Sequence, residues 1–293
     1  MGENKSSISK LFFKFKNEEI KNIRELTGGS ASDCFQVFLN NGEVYFLKKL
    51  NSKEGKDVFK KEADGLKKLG QALGVPTPKV HYFDDDILIL DYIESGREKS
   101  NSWFRLGVGL AKIHLFQSDF FGLSYDNCIG KNIQINSQVE FQNRKSWGDF
   151  FFKNRLEFQI DLMLEEKKLE KYEGLALKIR GLEEKIKDKI SSDEKPSLIH
   201  GDLRSGNVIF DLNENPILID PAIYFGNREA EFGMITLFGG FDQSFFKGYF
   251  QEHPLSNGWE KRVQIYQLYH LLNHLNLFGD SYYNSIIRLV NHI

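Results

Sequence analysis

The sequence predicts an α+β chain of two unequal lobes, a small strand-rich N-terminal lobe followed by a larger, mostly helical C-terminal one. Three observations predict it. Two runs of strand-forming residues near the N-terminus flank an Asn-Gly turn; helical apolar spacing dominates from about Glu98 onward; and a polar loop within Leu198–Phe210 leads into the apolar run Ile217–Ile219. With 293 residues and 41% hydrophobic content, the chain can bury a sizeable core and divide it between two lobes.

Ser6 and Ser7 are caps for a helix in which Ile8, Leu11, Phe12 and Phe15 recur at helical spacing, with the aromatic face turned to the first lobe. The segment Leu26–Phe35 follows, containing Gly28 and Gly29. Phe35–Leu39 and Val44–Leu50 are the strands of a hairpin closed by Asn40-Asn-Gly42. Period-two alternation puts Lys48 on the same face as Val44 and Phe46, which favours it over Lys49 as the lysine aimed at a site. A helix over Asp57–Leu69 carries Glu62, while the surrounding lysines suit a solvated surface. Val75-Pro-Thr-Pro78 punctuates the chain, and Ile87–Leu90 is a buried strand leading into Asp91-Tyr-Ile-Glu-Ser-Gly96. That is the expected lobe boundary, with residues 1–93 in the first lobe and 94–293 in the second, and Gly96 relaxing the connection.

The second lobe should contain helices over Trp103–Gln117, Phe150–Leu164 and Leu175–Ile190. A last one, Tyr266–Asn276, carries Leu268, Leu271, Leu272 and Leu275 on one stripe and Tyr266, His270, Asn273 and His274 on the opposite flank. The polar flank could line a sugar pocket. His270 and His274 are four apart, as helical metal pairs are, but no acidic third ligand is evident and structural hydrogen bonding is favoured.

The chemistry sits in Leu198-Ile-His-Gly-Asp-Leu-Arg-Ser-Gly-Asn-Val-Ile-Phe210. Asp202 precedes Asn207 by five residues, and Asp220 ends the next hairpin, a spacing that suits phosphoryl transfer. A carboxylate must orient the attacking hydroxyl and take its proton, and a carboxamide with a second carboxylate offers hard oxygen ligands to Mg2+. Asp202, Asn207 and Asp220 take those roles in that order. Lys48 would reach nucleotide phosphates and pair with Glu62. Gly28 and Gly29 would let backbone amides approach phosphate oxygens, although paired glycines alone more often mark a plain turn. Backbone groups at Asp91, Tyr92 and Ile93 would meet an adenine edge. A plain hairpin with polar caps is the competing reading of the loop, and it leaves the order and spacing of the motif unexplained.

Lys and Arg total 39 against 41 Asp and Glu, a net charge of −2 that gives no reason to expect nucleic-acid binding. No apolar run approaches the roughly 18 residues of a membrane span, and the N-terminus lacks the apolar core of a secretory signal, so no membrane association and a cytoplasmic location are expected. Cys34 and Cys128 are too few for a disulfide framework and should be free thiols.

Taken together, the residues resemble the fructosamine kinase, or ketosamine-3-kinase, family, within the group related to aminoglycoside phosphotransferases and choline kinases. The likeness spans nearly the whole chain: Glu62-Ala-x-Gly-Leu66, Gly109-Leu-Ala-x-x-His114, Trp147-x-x-Phe-Phe151, His200-Gly-Asp-Leu, Ser205-Gly-Asn, and more specifically Asp220-Pro-Ala222, Asn227-Arg-Glu229, Leu237-Phe-Gly-Gly-Phe241 and Tyr266–Asn276. The resemblance implies a bilobal protein-kinase-like fold. It also implies ATP- and Mg2+-dependent phosphorylation of the 3-hydroxyl of a ketoamine sugar, whose product then decomposes and releases the amine. The substrate would be a ketoamine small molecule or a glycated protein, and the protein a monomer or homodimer. Another small-molecule kinase of the same group is the alternative, with a nucleotide-binding pseudokinase disfavoured by the complete set of charged positions.

Two positions depart from the family pattern. Members usually carry Trp after His-Gly-Asp-Leu, where this chain has Arg204; a guanidinium there should shift preference toward an acceptor bearing a carboxylate or phosphate. Some relatives have a redox-active cysteine beside the paired glycines. Here Cys34 lies five residues beyond Gly29 and reads as a half-buried strand thiol.

Overall fold

The computed structural model describes residues 8, 9, 12, 15–26, 32–50, 57–167 and 169–293. The first lobe is built on a five-stranded antiparallel sheet of β1 (Ile20–Leu26), β2 (Ser32–Leu39), β3 (Val44–Leu50), β4 (Val80–Phe83) and β5 (Ile87–Asp91), in the order β1-β2-β3-β5-β4. The Asn-Gly turn closes as expected, with Leu39 N donating to Glu43 O at 2.9 Å and Gly42 N to Leu39 O at 3.1 Å. Strand β1 was not foreseen. Its apolar residues Ile20, Ile23 and Leu26 recur every third position, a helix-like spacing, because an edge strand with a bulge near Ile20 is only half-buried and needs no strict alternation.

Each sheet face has its own cover. Tyr45 and Leu47 point into a cluster with Ile8, Phe12, Val37, Leu39, Ile87 and Ile89, so the N-terminal helical residues do pack their aromatic face on this lobe. Leu11, also expected there, lies outside the described residues. On the other face Phe46, Leu88 and Leu90 meet Phe59, Ala63 and Leu66 of the helix Val58–Gln71. Lys48 shares that second face, which is what brings it under Glu62.

From Tyr92 to Lys99 the chain has no regular secondary structure. Gly96 does not relax this connection; it pins it. Its N–H donates to Phe210 O at 2.7 Å, and a Cβ at this position would stand 2.2 Å from Asp211 O. The connection is thereby pressed against the hairpin formed by Val208–Phe210 and Pro216–Leu218.

The second lobe is mostly helical around a core containing Trp147, Phe150, Tyr224, Tyr266 and Leu272. The helix expected over 103–117 spans Ser100–Ile113. The one expected over 150–164 is a composite: Ser146–Phe151, a wide π-helical turn at Phe152–Glu157, then Phe158–Glu166. The wide turn holds Arg155, which is fully buried and bonded to Asn136 Oδ1 at 2.8 Å, with its guanidinium 3.9 Å from the Tyr224 ring centre. The expected 175–190 helix is two, Glu170–Arg180 and Glu183–Ile190, separated by a turn at Gly181-Leu182; an apolar period can survive a one-turn break. The last long helix, Trp259–Phe278, is buried on most of its sides. Among the described residues no helix is long and apolar enough to cross a membrane.

Candidate active site

Lys48 joins the lobes. Its Nζ lies 2.7 Å from Glu62 Oε1 and 2.6 Å from Asp220 Oδ1, residues contributed by the first-lobe helix and by the second lobe. Burial disfavours the Lys48 charge, but the two carboxylates outweigh it and hold the ammonium protonated well above the usual lysine range. Burial raises the Glu62 carboxyl despite Lys48; at Asp220 burial pulls the same way, yet the ammonium beside it wins and the carboxyl falls below its usual range. Asp220 adopts a left-handed backbone, φ 55°, a conformation an aspartate tolerates better than most residues and one that marks strained functional turns.

The loop before it is set from beneath. Strand Ser197–Ile199 pairs with Tyr224–Gly226, and the chain then turns at Gly201, φ 82°, where a Cβ would stand 2.1 Å from Ala222 O. Only glycine fits. The Glu231 carboxylate accepts from both His200 N (2.5 Å) and Gly201 N (3.1 Å), bracing the loop against the helix Glu229–Phe238. The His200 ring donates through Nε2 to Ile219 O at 2.9 Å and accepts at Nδ1 from Asp202 N at 3.3 Å, the arrangement of a neutral imidazole; burial lowers its pKa accordingly.

Asp202 is thus fixed by its backbone, while burial, opposed by the Arg204 charge and by Asn207, pushes its carboxyl up to about 7. Asn207 Nδ2 donates to Asp202 O at 2.8 Å and to Oδ2 at 3.2 Å. The hairpin Val208–Phe210 with Pro216–Leu218 pairs Val208 with Leu218, and Ile219 N donates to Asn207 O at 3.1 Å. That register sets Asp220 beside Asn207.

The three residues expected to converge therefore line one cleft of about 940 Å³, together with Lys48, Glu62 and Arg204. No cluster of three or more His, Cys, Asp or Glu suited to holding a metal occurs among the described residues. The donor set still fits a hard cation that also takes phosphate oxygens: the Asn207 Oδ1 is buried without a partner, and Asp220 offers a carboxylate 42% exposed toward the cleft.

The other expected site residues divide. Gly28 and Gly29 lie outside the described residues. Asp91 commits its N–H to Lys79 O at 3.1 Å and its carboxylate to Lys79 N (3.2 Å) and His81 Nε2 (2.6 Å). Tyr92 and Ile93 lie just beyond the ladder, half-buried and outside any regular element. His274 lines the cleft, with Nδ1 donating to His270 O at 2.7 Å. His270 is not among the lining residues; it is 4% exposed beside the Tyr269 ring, and burial pushes its pKa down to about 3. Of the polar flank, Asn273 and His274 line the cleft, whereas Tyr266 is in the core accepting from Trp147 Nε1 at 3.1 Å. The flank splits because the helix is enclosed on that side too. Cys34 is buried, and burial raises its thiol pKa, which agrees with an unreactive strand thiol.

Sequence reasoning missed Glu231 and the Tyr125 hydroxyl, which donates to Asp64 Oδ2 on the helix carrying Glu62. The signal for Glu231 was a charged residue directly preceding the apolar stretch Phe232-Gly-Met-Ile235.

A strand-borne lysine paired with a helical glutamate, a buried aspartate braced on its loop, and an asparagine and second aspartate set by one hairpin define a phosphotransferase of the protein-kinase-like class. Residues 4–293 match the family model for fructosamine kinase, and the chain belongs to that family. It is 38% identical over 272 residues to a probable ketoamine kinase of Enterococcus faecium, covering 90% of this chain and 92% of the relative. It is 34% identical over 287 residues to the chloroplastic protein-ribulosamine 3-kinase of Arabidopsis thaliana, covering 94% and 83%. Among solved structures, one from Thermobifida fusca assigned to fructosamine-3-kinase superposes with a TM-score of 0.87 at 27% identity over 98% of both chains. An ADP-bound aminoglycoside phosphotransferase, at 19% identity over 98% of this chain and 97% of its own with a TM-score of 0.65, shares the fold.

Proposed function

We propose that this chain transfers the γ-phosphoryl group of ATP to the 3-hydroxyl of a ketoamine sugar, with Asp202 as base. The observation that carries the roles is the convergence of Lys48, Asp202, Asn207 and Asp220 on one cleft, in a chain of the fructosamine kinase family. Asp202 orients the acceptor hydroxyl and takes its proton as the new P–O bond forms and the bond to the departing ADP breaks. Lys48, held by Glu62, positions the nucleotide phosphates. Asn207 Oδ1 and Asp220 would hold Mg2+, which when bound neutralises phosphate charge. Backbone groups of Asp91 to Ile93, apart from the Asp91 N–H that Lys79 O already holds, would meet the adenine, and Gly28 and Gly29 would cover the phosphates.

An ATP-consumption screen of fructosamines, ribulosamines and erythrulosamines, with aminoglycosides and choline as counter-screens, tests this reading. Turnover of a ketoamine with no counter-screen activity is expected. Turnover confined to an aminoglycoside or choline would assign the chain to another acceptor class.

A further inference from the structure

Two cations on the cleft wall make no ion pair among the described residues. Lys48 has two carboxylates, but the head groups of Lys61 and Arg204, which line the same cavity from opposite lobes, have no ion-pair or hydrogen-bond partner among the described residues. Lys61 is half-buried on the helix Val58–Gln71, and its charge bears on Cys128 in the second-lobe wall. Arg204 lies over Gly206, and its charge bears on Asp202, Asp220 and His274. An unpaired cation in a concave site raises the local concentration of anions.

The same cavity has an aromatic wall. The His274 ring stands 4.9 Å from Phe238, 5.4 Å from Phe278 and 5.2 Å from Tyr282, yet Phe238 and Phe278 remain 46% and 55% exposed. Exposed aromatic rings gathered inside a cleft mark a surface that a ligand covers. Cations and aromatic wall together describe an acceptor with an anionic end and an apolar portion. An anionic acceptor is repelled by the nucleotide phosphates as it approaches Asp202, and two unpaired cations offset that repulsion where it arises.

We propose that Lys61 and Arg204 bind an anionic group of the acceptor, so that the preferred substrate is a ketoamine bearing a carboxylate on its amine carrier or a phosphate on its sugar, with the apolar portion against Phe238 and Phe278. The proposal rests on the ketoamine kinase reading. Its test compares kcat/KM on a fructosyl or ribulosyl amino acid against the corresponding amide, and on a sugar-phosphate adduct against its unphosphorylated form. The proteins are the wild type, Arg204→Gln, Lys61→Gln, the double variant and Arg204→Lys, with KM for ATP measured in each.

A wild-type preference of about tenfold or more for an anionic member of a pair is expected, since charge-assisted hydrogen bonds are worth that much. The Gln variants should collapse the ratio toward one, Arg204→Lys should retain part of it, and KM for ATP should hold within about twofold, well short of that tenfold effect. The pair that shows the preference identifies carboxylate or phosphate. A wild-type ratio below about twofold, far under the expected gain, overturns the proposal. So does a loss shared equally by charged and neutral acceptors with a parallel rise in KM for ATP, which would assign both cations to the nucleotide. A protein that phosphorylates no ketoamine, charged or neutral, overturns the functional reading along with it.

Discussion

Asn207 turns its amide nitrogen onto Asp202, 2.8 Å from the backbone oxygen and 3.2 Å from Oδ2, and leaves its own Oδ1 buried without a partner. One side chain thus steadies Asp202 and presents a bare oxygen. Desolvating an acceptor without a partner costs about 1–3 kcal/mol, a cost that a bound cation removes. Asn207→Ala should therefore lower kcat/KM by on the order of a hundredfold to a thousandfold, the scale of losing one preorganised polar group. It should also raise the Mg2+ concentration needed for half-maximal activity. An unchanged Mg2+ titration would remove Asn207 from the metal's ligands.

Asp202 must be ionised to accept a proton, and burial pushes its carboxyl up to about 7. In the free protein kcat/KM should accordingly rise as pH increases through about 7 and level off above it. Arg204 opposes that shift, so Arg204→Gln should move the inflection to higher pH. Asp202→Asn should retain nucleotide binding and lose turnover by on the order of 10²–10⁴. The stability sign is the reverse of the usual carboxylate. The folded chain holds this proton more tightly than the unfolded one, so the contribution of Asp202 to stability falls as pH rises from its ordinary value near 3.8 to about 7. An activity profile flat between pH 5 and 9, about two units either side, would exclude a titrating base here.

Glu231 has no exposed surface on its side chain, and its carboxylate takes two backbone N–H groups from the loop that carries Asp202. Glu231→Gln keeps the shape but turns an amide donor toward one of those N–H groups. The expected cost is about 1–3 kcal/mol of stability, seen as a lower Tm. Turnover should fall while KM for ATP stays near the wild-type value, because the lysine and metal positions are carried by other elements. Equal losses in kcat and in ATP affinity would indicate a general collapse of the cleft instead of a displaced loop.

How far the sequence was legible depended on where each constraint lived. The loop from His200 to Asn207 and the hairpin to Asp220 are local, so their spacing alone indicated that Asp202, Asn207 and Asp220 converge on one cleft. Lys48 was legible because strand alternation decides its face. Glu231 was not, because what it braces, His200, lies 31 residues away and no local period reports a carboxylate buried against backbone N–H groups. His270 failed to line the cleft for a related reason: a helical wheel sorts polar from apolar residues, but Trp259–Phe278 is enclosed on several sides, so polarity did not mark the cleft. Gly96 shows the same limit. A glycine in a linker suggests freedom, whereas here it admits the backbone at Asp211.

Tyr125 and Asp64 link the second lobe to the helix that carries Glu62, the Tyr125 hydroxyl donating to Asp64 Oδ2. The helix therefore does not depend on its own sheet alone for position, and the Lys48–Glu62 pair inherits that restraint. Tyr125→Phe removes one hydrogen bond without changing the packing of the ring, a change worth about 0.5–1.5 kcal/mol. If the bond positions the helix, KM for ATP should rise roughly two- to tenfold with kcat much less affected, and Asp64→Ala, which removes the acceptor, should reproduce the effect. In the double variant the two losses should not add, because both remove the same contact. Additive losses in the Tyr125→Phe, Asp64→Ala cycle would mean that each residue acts through a different neighbour, Asp64 through Lys68 at 3.7 Å being the alternative the geometry offers.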